Sequence, residues 1–388
     1  MIRKRIKNIL SSVSRNNYKT LNTIEISKKR LIHNYNLIKK QNKGFNIIPV
    51  LKANAYGHGL IQVGEILNKA DCDLIAVDGY FEAAKLLGVT KHRILVLGYI
   101  LPENYSLLNT RRCSFVIQDV DSLRSIASIN KRVNVHLEIN TGMNRLGINP
   151  DELNDYLSTL KSLPNLNLEG VMSHLADADN EIEDSFTDDQ VNIFDNCVKK
   201  VFESGFEPKY IHIAQSAGST KTKSNYANSI RLGIALYGIN PLSPNDKKFS
   251  ALQSLLPVLT LKTTIIKTEN LKAGDRVSYN GIYKAEGPKK IATLPLGYYE
   301  GVPRQLSNFG TFLSANGKKL PILGRVCMNH TIIDIDSSPN SNVGDQVIVV
   351  SNDNKDINSI SNLSNMEGLF SYSLMTGLSE STKRIIVD

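Results

Sequence analysis

No run in this 388-residue chain approaches the stretch of about eighteen apolar residues that a membrane-spanning helix requires. Cysteine is scarce. Cys72, Cys113, Cys197 and Cys327 stand far apart, with no Cys-x-x-Cys pair and no histidine at zinc-ligand spacing. That spacing argues against a disulfide framework or a structural zinc site and points to a reducing, cytoplasmic setting. The seven histidines are equally scattered, so no metal site is readable from them. Acidic residues are missing from residues 1–20, where Arg3, Lys4, Arg5, Lys7, Arg15 and Lys19 carry six of the nine excess positive charges. With the charge so concentrated, the remainder is only mildly basic, which suits a small anionic ligand and not a nucleic acid. The leader also sets Ile2, Ile6, Ile9, Leu10 and Val13 on one helical face but lacks the apolar core of a secretory signal. It reads first as a disordered tail, and second as an organelle-type or membrane-surface leader.

What is present is the composition of a soluble globular protein, 41% hydrophobic and 21% charged. From Phe45 onward eight apolar, β-branched runs recur: FNIIPVLK, LIAVDG, RILVLGY, SFVIQD, VNVHLEIN, LEGVMSH, YIHIAQS and SIRLGIALYG. Helical-period segments such as LIQVGEILNKA and TDDQVNIFDNCVKKVFESG separate them. Nearly unbroken apolar strands alternating with helices are the pattern of a parallel sheet buried on both faces. Eight such units predict a (β/α)8 barrel over residues 21–245, after a basic extension at 1–20. The composition breaks at NPLSPNDKKFS, and short strands with turn residues follow, so a mainly β domain is expected over 246–388.

In such a barrel the chemistry lies where the strands end, with a phosphate site commonly after strands seven and eight. Strand one delivers Lys52, strand five runs into Arg145, strand six ends at His174, strand seven runs into QSAGST, and strand eight contains Arg231 and Gly233. Each has a commoner structural explanation when taken singly. Together they place one amine, a turn of small and hydroxyl residues around Ser216, two guanidiniums and an imidazole on one rim. Pyridoxal 5'-phosphate asks for that set: a lysine for its aldehyde, N–H and hydroxyl groups for its phosphate, a flat partner for its ring, and a group facing its ring nitrogen.

The peptide VLKANAYGHG resembles the cofactor-lysine motif of alanine racemases. INTGMNRLGI, GVMSHLADAD, HIAQSAGS, IRLGIALYGI, AGDRVSYNGIY, PLGYYEGVPR and GRVCMNH resemble that family's other motifs, in the family's order, over roughly residues 20–388. The resemblance implies a homodimeric isomerase that interconverts L- and D-alanine by a two-base mechanism, supplying D-alanine for peptidoglycan or degrading it. It implies that Lys52 is the Schiff-base lysine and one base, and that Tyr279, reaching across from the partner subunit, is the other. Tyr56, Ser216, Gly233, Ile234 and Tyr237 fall in the phosphate-binding pattern, His174 in the place of the ring-stacking histidine, and Arg231 opposite the ring nitrogen. Arg145 and Met328 resemble contacts of the substrate carboxylate, and Tyr298 stands at the entrance.

The chain departs from the family pattern at four places. Glu138 stands where many members carry a carbamylated lysine, Gln215 where asparagine is usual, Asn329 where aspartate is usual, and Glu380 where some members have a tyrosine near the phosphate. These leave room for a racemase that prefers serine or another small amino acid. A cofactor-binding protein without turnover is a further alternative, disfavoured because such proteins lack a β domain.

Overall fold

The computed structural model describes residues 19–107 and 109–388, so nearly all of the basic leader lies outside the described residues. Strand β1 (Thr23–Ser27) opens the chain and runs directly into helix α1 (Lys28–Gln41), whose N-terminus is capped by Ser27 Oγ accepting from the Arg30 amide at 3.2 Å. Eight parallel strands follow: β2 (Asn46–Pro49), β3 (Leu74–Val77), β4 (Arg93–Val96), β5 (Cys113–Ile117), β6 (Val133–Glu138), β7 (Leu166–Met172), β8 (Tyr210–His212) and β9 (Ser229–Leu232). Strands β3 to β8 pair in chain order, and β9 pairs with β2, Ile47 standing opposite Ile230. The Leu51 amide donates to the Ala76 carbonyl at 2.7 Å, and the Arg231 amide to the Ala214 carbonyl at 3.0 Å. These bonds join the remaining seams and close the barrel that the alternating pattern predicts.

Helices cover the outside: α2 (Leu60–Leu67), α3 (Tyr80–Leu87), α4 (Val120–Ser128), α5 (Leu153–Lys161) and α6 (Ser185–Glu203). Helix α6 buries Val191, Phe194, Val198 and Val201, a three-to-four-residue spacing that puts one apolar stripe on the barrel. After β9 there is only a 3-10 turn, Ile234–Tyr237, and α1 fills the vacant place on the barrel wall. Asn34, wholly buried on α1, donates to the carbonyls of Leu236 (3.1 Å) and Leu256 (2.8 Å) and accepts from the Leu256 amide (2.8 Å).

The second domain is mainly β, as expected. Its six-stranded sheet runs in the order Lys319–Pro321, Thr311–Ser314, Gln346–Val350, β10 (Leu259–Thr264), β1, Lys383–Val387. Strand β1 therefore belongs to this sheet although it precedes the barrel: it pairs antiparallel with β10 and parallel with the C-terminal strand. The two domains share one continuous buried core.

Candidate active site

Lys52 follows β2 after Val50 and Leu51, and the chain then makes an unusual turn. Ala53, Asn54, Ala55 and Tyr56 all adopt left-handed backbone, with φ between 51° and 54°. Each non-glycine residue held there costs about 1–2 kcal/mol, so the turn stores several kcal/mol that its surroundings must offset. Asn54 Oδ1 accepts from the Leu60 amide (2.8 Å), the Asn54 amide donates to Glu82 (3.2 Å), and the Gly59 amide donates to the Asn54 carbonyl (2.9 Å). The second domain adds Arg384, whose Nε donates to the Gly57 carbonyl at 2.9 Å. Gly57 has no room for a side chain against the Met375 backbone, Gly59 has a φ of +103°, and the turn projects Lys52 and Tyr56 into the barrel mouth.

There a cavity of about 520 Å³ opens, within the roughly 300–1,000 Å³ of small-molecule sites. Of the residues singled out in the sequence, Lys52, Tyr56, Arg145, His174, Ser216, Arg231, Gly233 and Ile234 all line it. Ser216 Oγ accepts from the amides of Gly233 (3.1 Å) and Ala235 (3.2 Å). A β-carbon on Gly233 would fall 2.6 Å from the Tyr56 hydroxyl, so only glycine leaves that corner open. Arg231, 3% exposed, donates through Nη1 to His212 Nδ1 (2.8 Å) and the His212 carbonyl (2.9 Å). Through Nη2 it donates to the Ser173 carbonyl (2.6 Å) and His174 Nδ1 (3.0 Å). Among the described residues its Nε–H makes no hydrogen bond, which leaves one uncommitted donor.

Burial dominates the electrostatics. It lowers the Arg231 pKa to about 10, with Glu138 opposing and Arg145 reinforcing the shift. His174 falls to about 3, first through burial and then through the charges of Arg231, Arg145 and Lys52. The imidazole is therefore neutral, as an acceptor from Arg231 must be. Burial raises Glu138 above the usual carboxylate range, against the hydrogen bond from Gln118 Nε2 (3.1 Å) and the nearby cations. Arg145 is exposed and forms no ion pair among the described residues, so Glu138 does not clamp it.

Four residues from the family pattern lie elsewhere. Tyr237 is buried behind the cavity with its hydroxyl donating to the Val50 carbonyl at 2.9 Å; its ring, 5.0 Å from that of Tyr56, backs the neighbour that reaches the cavity. Tyr279, Tyr298 and Met328 lie on loops of the second domain, 67%, 45% and 55% exposed and outside this cavity. The loops hold one another: the Tyr298 amide donates to the Cys327 carbonyl (3.0 Å) and Ser278 Oγ to the Arg325 carbonyl (2.7 Å). Ser278 and Asn280, on either side of Tyr279, both have positive φ. Asn329 donates to Glu300 Oε1 at 2.8 Å, a bond that an aspartate there would replace with repulsion. Gln215 Oε1 caps the small-residue turn by accepting from the Gly218 amide at 2.7 Å.

The sequence reading missed Tyr372 and Thr376. Both come from helix α8 (Ser371–Thr376), which follows α7 (Ile360–Leu363), and both line the cavity. The Tyr372 ring lies 6.0 Å from that of Tyr56, and burial, then Asp179, raise its hydroxyl to about 12. Glu380 is exposed and does not line the cavity.

Comparison with known proteins agrees with this geometry. The family model of the alanine racemase N-terminal domain matches residues 26–241, and that of the C-terminal domain matches 258–386. The curated alanine racemase of Mannheimia succiniciproducens is 32% identical over 376 residues, covering 94% of this chain and 98% of its own length. The solved alanine racemase of Clostridium difficile 630 superposes with a TM-score of 0.88 at 28% identity, over 95% of this chain and 96% of its own. The Bartonella henselae alanine racemase, solved with covalently bound pyridoxal phosphate, has the same fold, with a TM-score of 0.80 at 24% identity over 95% of this chain and all of its own. The chain therefore belongs to the alanine racemase family.

Proposed function

We propose that the chain carries out the isomerase reaction of its family, the interconversion of L- and D-alanine, with pyridoxal 5'-phosphate and with Lys52 and Tyr279 as the two bases. The observation that carries this reading is the convergence, in one cavity, of a single strand-end amine, an open glycine–serine corner and a buried arginine with a spare N–H. These residues fit the cofactor. Ser216, Gly233 and Ile234, with the Tyr56 hydroxyl, would hold the phosphate; His174 would lie against the ring; Arg231 Nε–H would face the ring nitrogen; and Lys52 Nζ would take the aldehyde. The Bartonella henselae alanine racemase was solved with the same group covalently bound. When bound, the cofactor withdraws electron density from the substrate Cα and so acidifies its proton.

The chain's own groups do the rest. Lys52 Nζ takes or returns a proton on one face of Cα, and the Tyr279 hydroxyl does so on the opposite face; racemisation needs both faces served. His174 is neutral and so adds no charge against the ring. Arg231 is a donor only, and it keeps a cation rather than a transferable proton beside the ring nitrogen. Arg145, uncommitted and at the cavity wall, is placed to hold the substrate carboxylate, with Met328 and Tyr298 at the approach.

Within one chain Tyr279 is solvent-exposed and outside the cavity, beside other exposed apolar groups such as Ile282, Tyr298, Tyr299 and Met328. We therefore read that face as the contact with a second copy, which delivers Tyr279 to the partner's Lys52. The assembly is a homodimer with two composite sites. In the cell it would supply D-alanine for peptidoglycan, in the cytoplasm; among the described residues no helix is long and apolar enough to cross a membrane.

The test is proton NMR of L-alanine with cofactor-loaded protein in D₂O, with a chiral assay of the product. Loss of the α-proton together with D-alanine supports the two-base reading. Exchange with retention of configuration would refute it.

A further inference from the structure

Behind Arg231 a line of buried polar groups crosses six adjacent barrel strands. Arg231 Nη1 lies 2.8 Å from His212 Nδ1. His212 Nε2 lies 2.9 Å from His136 Nδ1. His136 Nε2 has no hydrogen-bond partner among the described residues and faces Glu169 Oε2 at 3.5 Å. Glu169 in turn accepts from Ser114 Oγ (2.5 Å) and from both terminal nitrogens of Arg93, Nη2 at 2.9 Å. Both histidines are wholly buried, and Glu169 is 7% exposed.

The direction of this line is fixed at both ends. A guanidinium only donates, so His212 Nδ1 must accept and its proton sits on Nε2. That proton points at His136 Nδ1, which must accept, so the His136 proton also sits on Nε2, facing the carboxylate. At the far end Glu169 can only accept, and it demands the same order. Reversing His212 would set an N–H against the Arg231 N–H at 2.8 Å, and reversing His136 alone would set one against the His212 N–H at 2.9 Å.

Two backbone features shape this line. The register between β6 and β7 slips between Val135 and His136, with Val135 opposite Leu168 and His136 opposite Gly170. Glu169 is therefore the extra residue of a bulge, the device that re-aims a strand side chain. Gly170 is next. A β-carbon there would fall 2.2 Å from His136 Nδ1, the atom that meets His212. Only glycine lets the imidazole lie in line.

We propose that Glu169, acting through His136 and His212, is a positioning residue for Arg231: it fixes the tautomers of both histidines and so keeps the guanidinium aimed at the ring-nitrogen end of the cofactor. This rests on the placement of Arg231 given above. Neither histidine transfers a proton in this role; each holds one.

The first measurement needs no substitution and no cofactor: ¹⁵N spectra of histidine-labelled protein at neutral pH. The expected result is that His136 and His212 both carry the proton on Nε2. The second compares Glu169→Gln, which removes the charge, Gly170→Ala, which displaces the His136 ring, and Glu169→Asp, which keeps a carboxylate. The first two should lower kcat by about tenfold, short of the 10²-fold of a gross misplacement, with KM little changed. They should also shift the absorbance maximum of the bound cofactor, and Glu169→Asp should recover part of both effects. An Nδ1–H tautomer on either histidine of the unaltered protein overturns the proposal. So do variants that lose thermal stability while keeping kcat and the cofactor spectrum. If the substituted chains do not fold, the tautomers of the unaltered protein decide. Failure of the cofactor assignment looks different: the unaltered protein would gain no cofactor absorbance, while its histidine tautomers would remain readable.

Discussion

The carbonyl oxygen of Met375 lies 1.9 Å from the point where a β-carbon on Gly57 would stand. A helix of the second domain thus rests directly on the turn that presents Lys52, at a residue with φ of +76°. Gly57→Ala combines left-handed strain with overpacking against backbone, and it should cost about 2–5 kcal/mol in all. Urea unfolding measures the loss. Cofactor affinity should fall with it, because the displaced turn carries both Lys52 and Tyr56. A variant with unaltered stability would mean the two domains do not meet at this turn.

Ala53 tests the stored strain from the other side. It is exposed, so removing its methyl leaves no cavity in the core. Glycine relieves about 1–2 kcal/mol of left-handed strain and adds about 0.4–1 kcal/mol of unfolded-chain entropy. The first wins: Ala53→Gly should raise the melting temperature and, by loosening the residue after Lys52, lower kcat. Differential scanning calorimetry beside steady-state kinetics reads both. A fall in both would mean that the turn is unstrained.

Acid should destabilise the protein in two stages. His174 has a folded pKa of about 3, and burial also holds His212 and His136 below their ordinary value. Below about pH 6.5 the unfolded chain takes up protons that these folded imidazoles refuse, so stability falls from there downward. Glu169 adds the second stage. Burial raises its pKa, but His136, Arg93 and Ser114 outweigh that and bring it to about 2. Its contribution, about 3 kcal/mol, is fully present above about pH 5 and lost as pH falls toward 2. Urea midpoints across pH 7 to 3 should therefore decline throughout, and Glu169→Gln should flatten the lower part of the curve. An unchanged slope in that variant would contradict the assignment.

How far the sequence shows this molecule depends on the distance over which each feature is decided. The barrel strands are legible because each is a local apolar run between helical periods, and Lys52, His174 and Arg231 because strand ends converge in a barrel. Strand β1 and helix α1 are not legible in that way. The partners of β1 lie at 259–264 and 383–387, and no local pattern announces a strand that leaves its neighbours for another domain. Tyr372 escapes for the same reason, since it reaches the cavity only once the second domain has docked. Tyr237 is the reverse case: its motif position suggests a ligand, but the 3-10 turn after β9 sends its hydroxyl to the Val50 carbonyl. Glu169 is hidden by a bulge, whose one-residue slip an alternating pattern does not reveal.

The central claim is that Lys52 of one subunit works with Tyr279 of the other, and mixing two inactive proteins tests it. Lys52→Ala and Tyr279→Phe homodimers are each expected to be inactive in alanine racemisation. After unfolding and refolding together in equal amounts, half of the dimers are mixed, and one of the two sites in each mixed dimer carries both intact bases. About a quarter of the unaltered activity should therefore return. If Tyr279 served its own chain, every site in every dimer would lack one base. Activity that stays absent in a correctly refolded mixture would contradict the account.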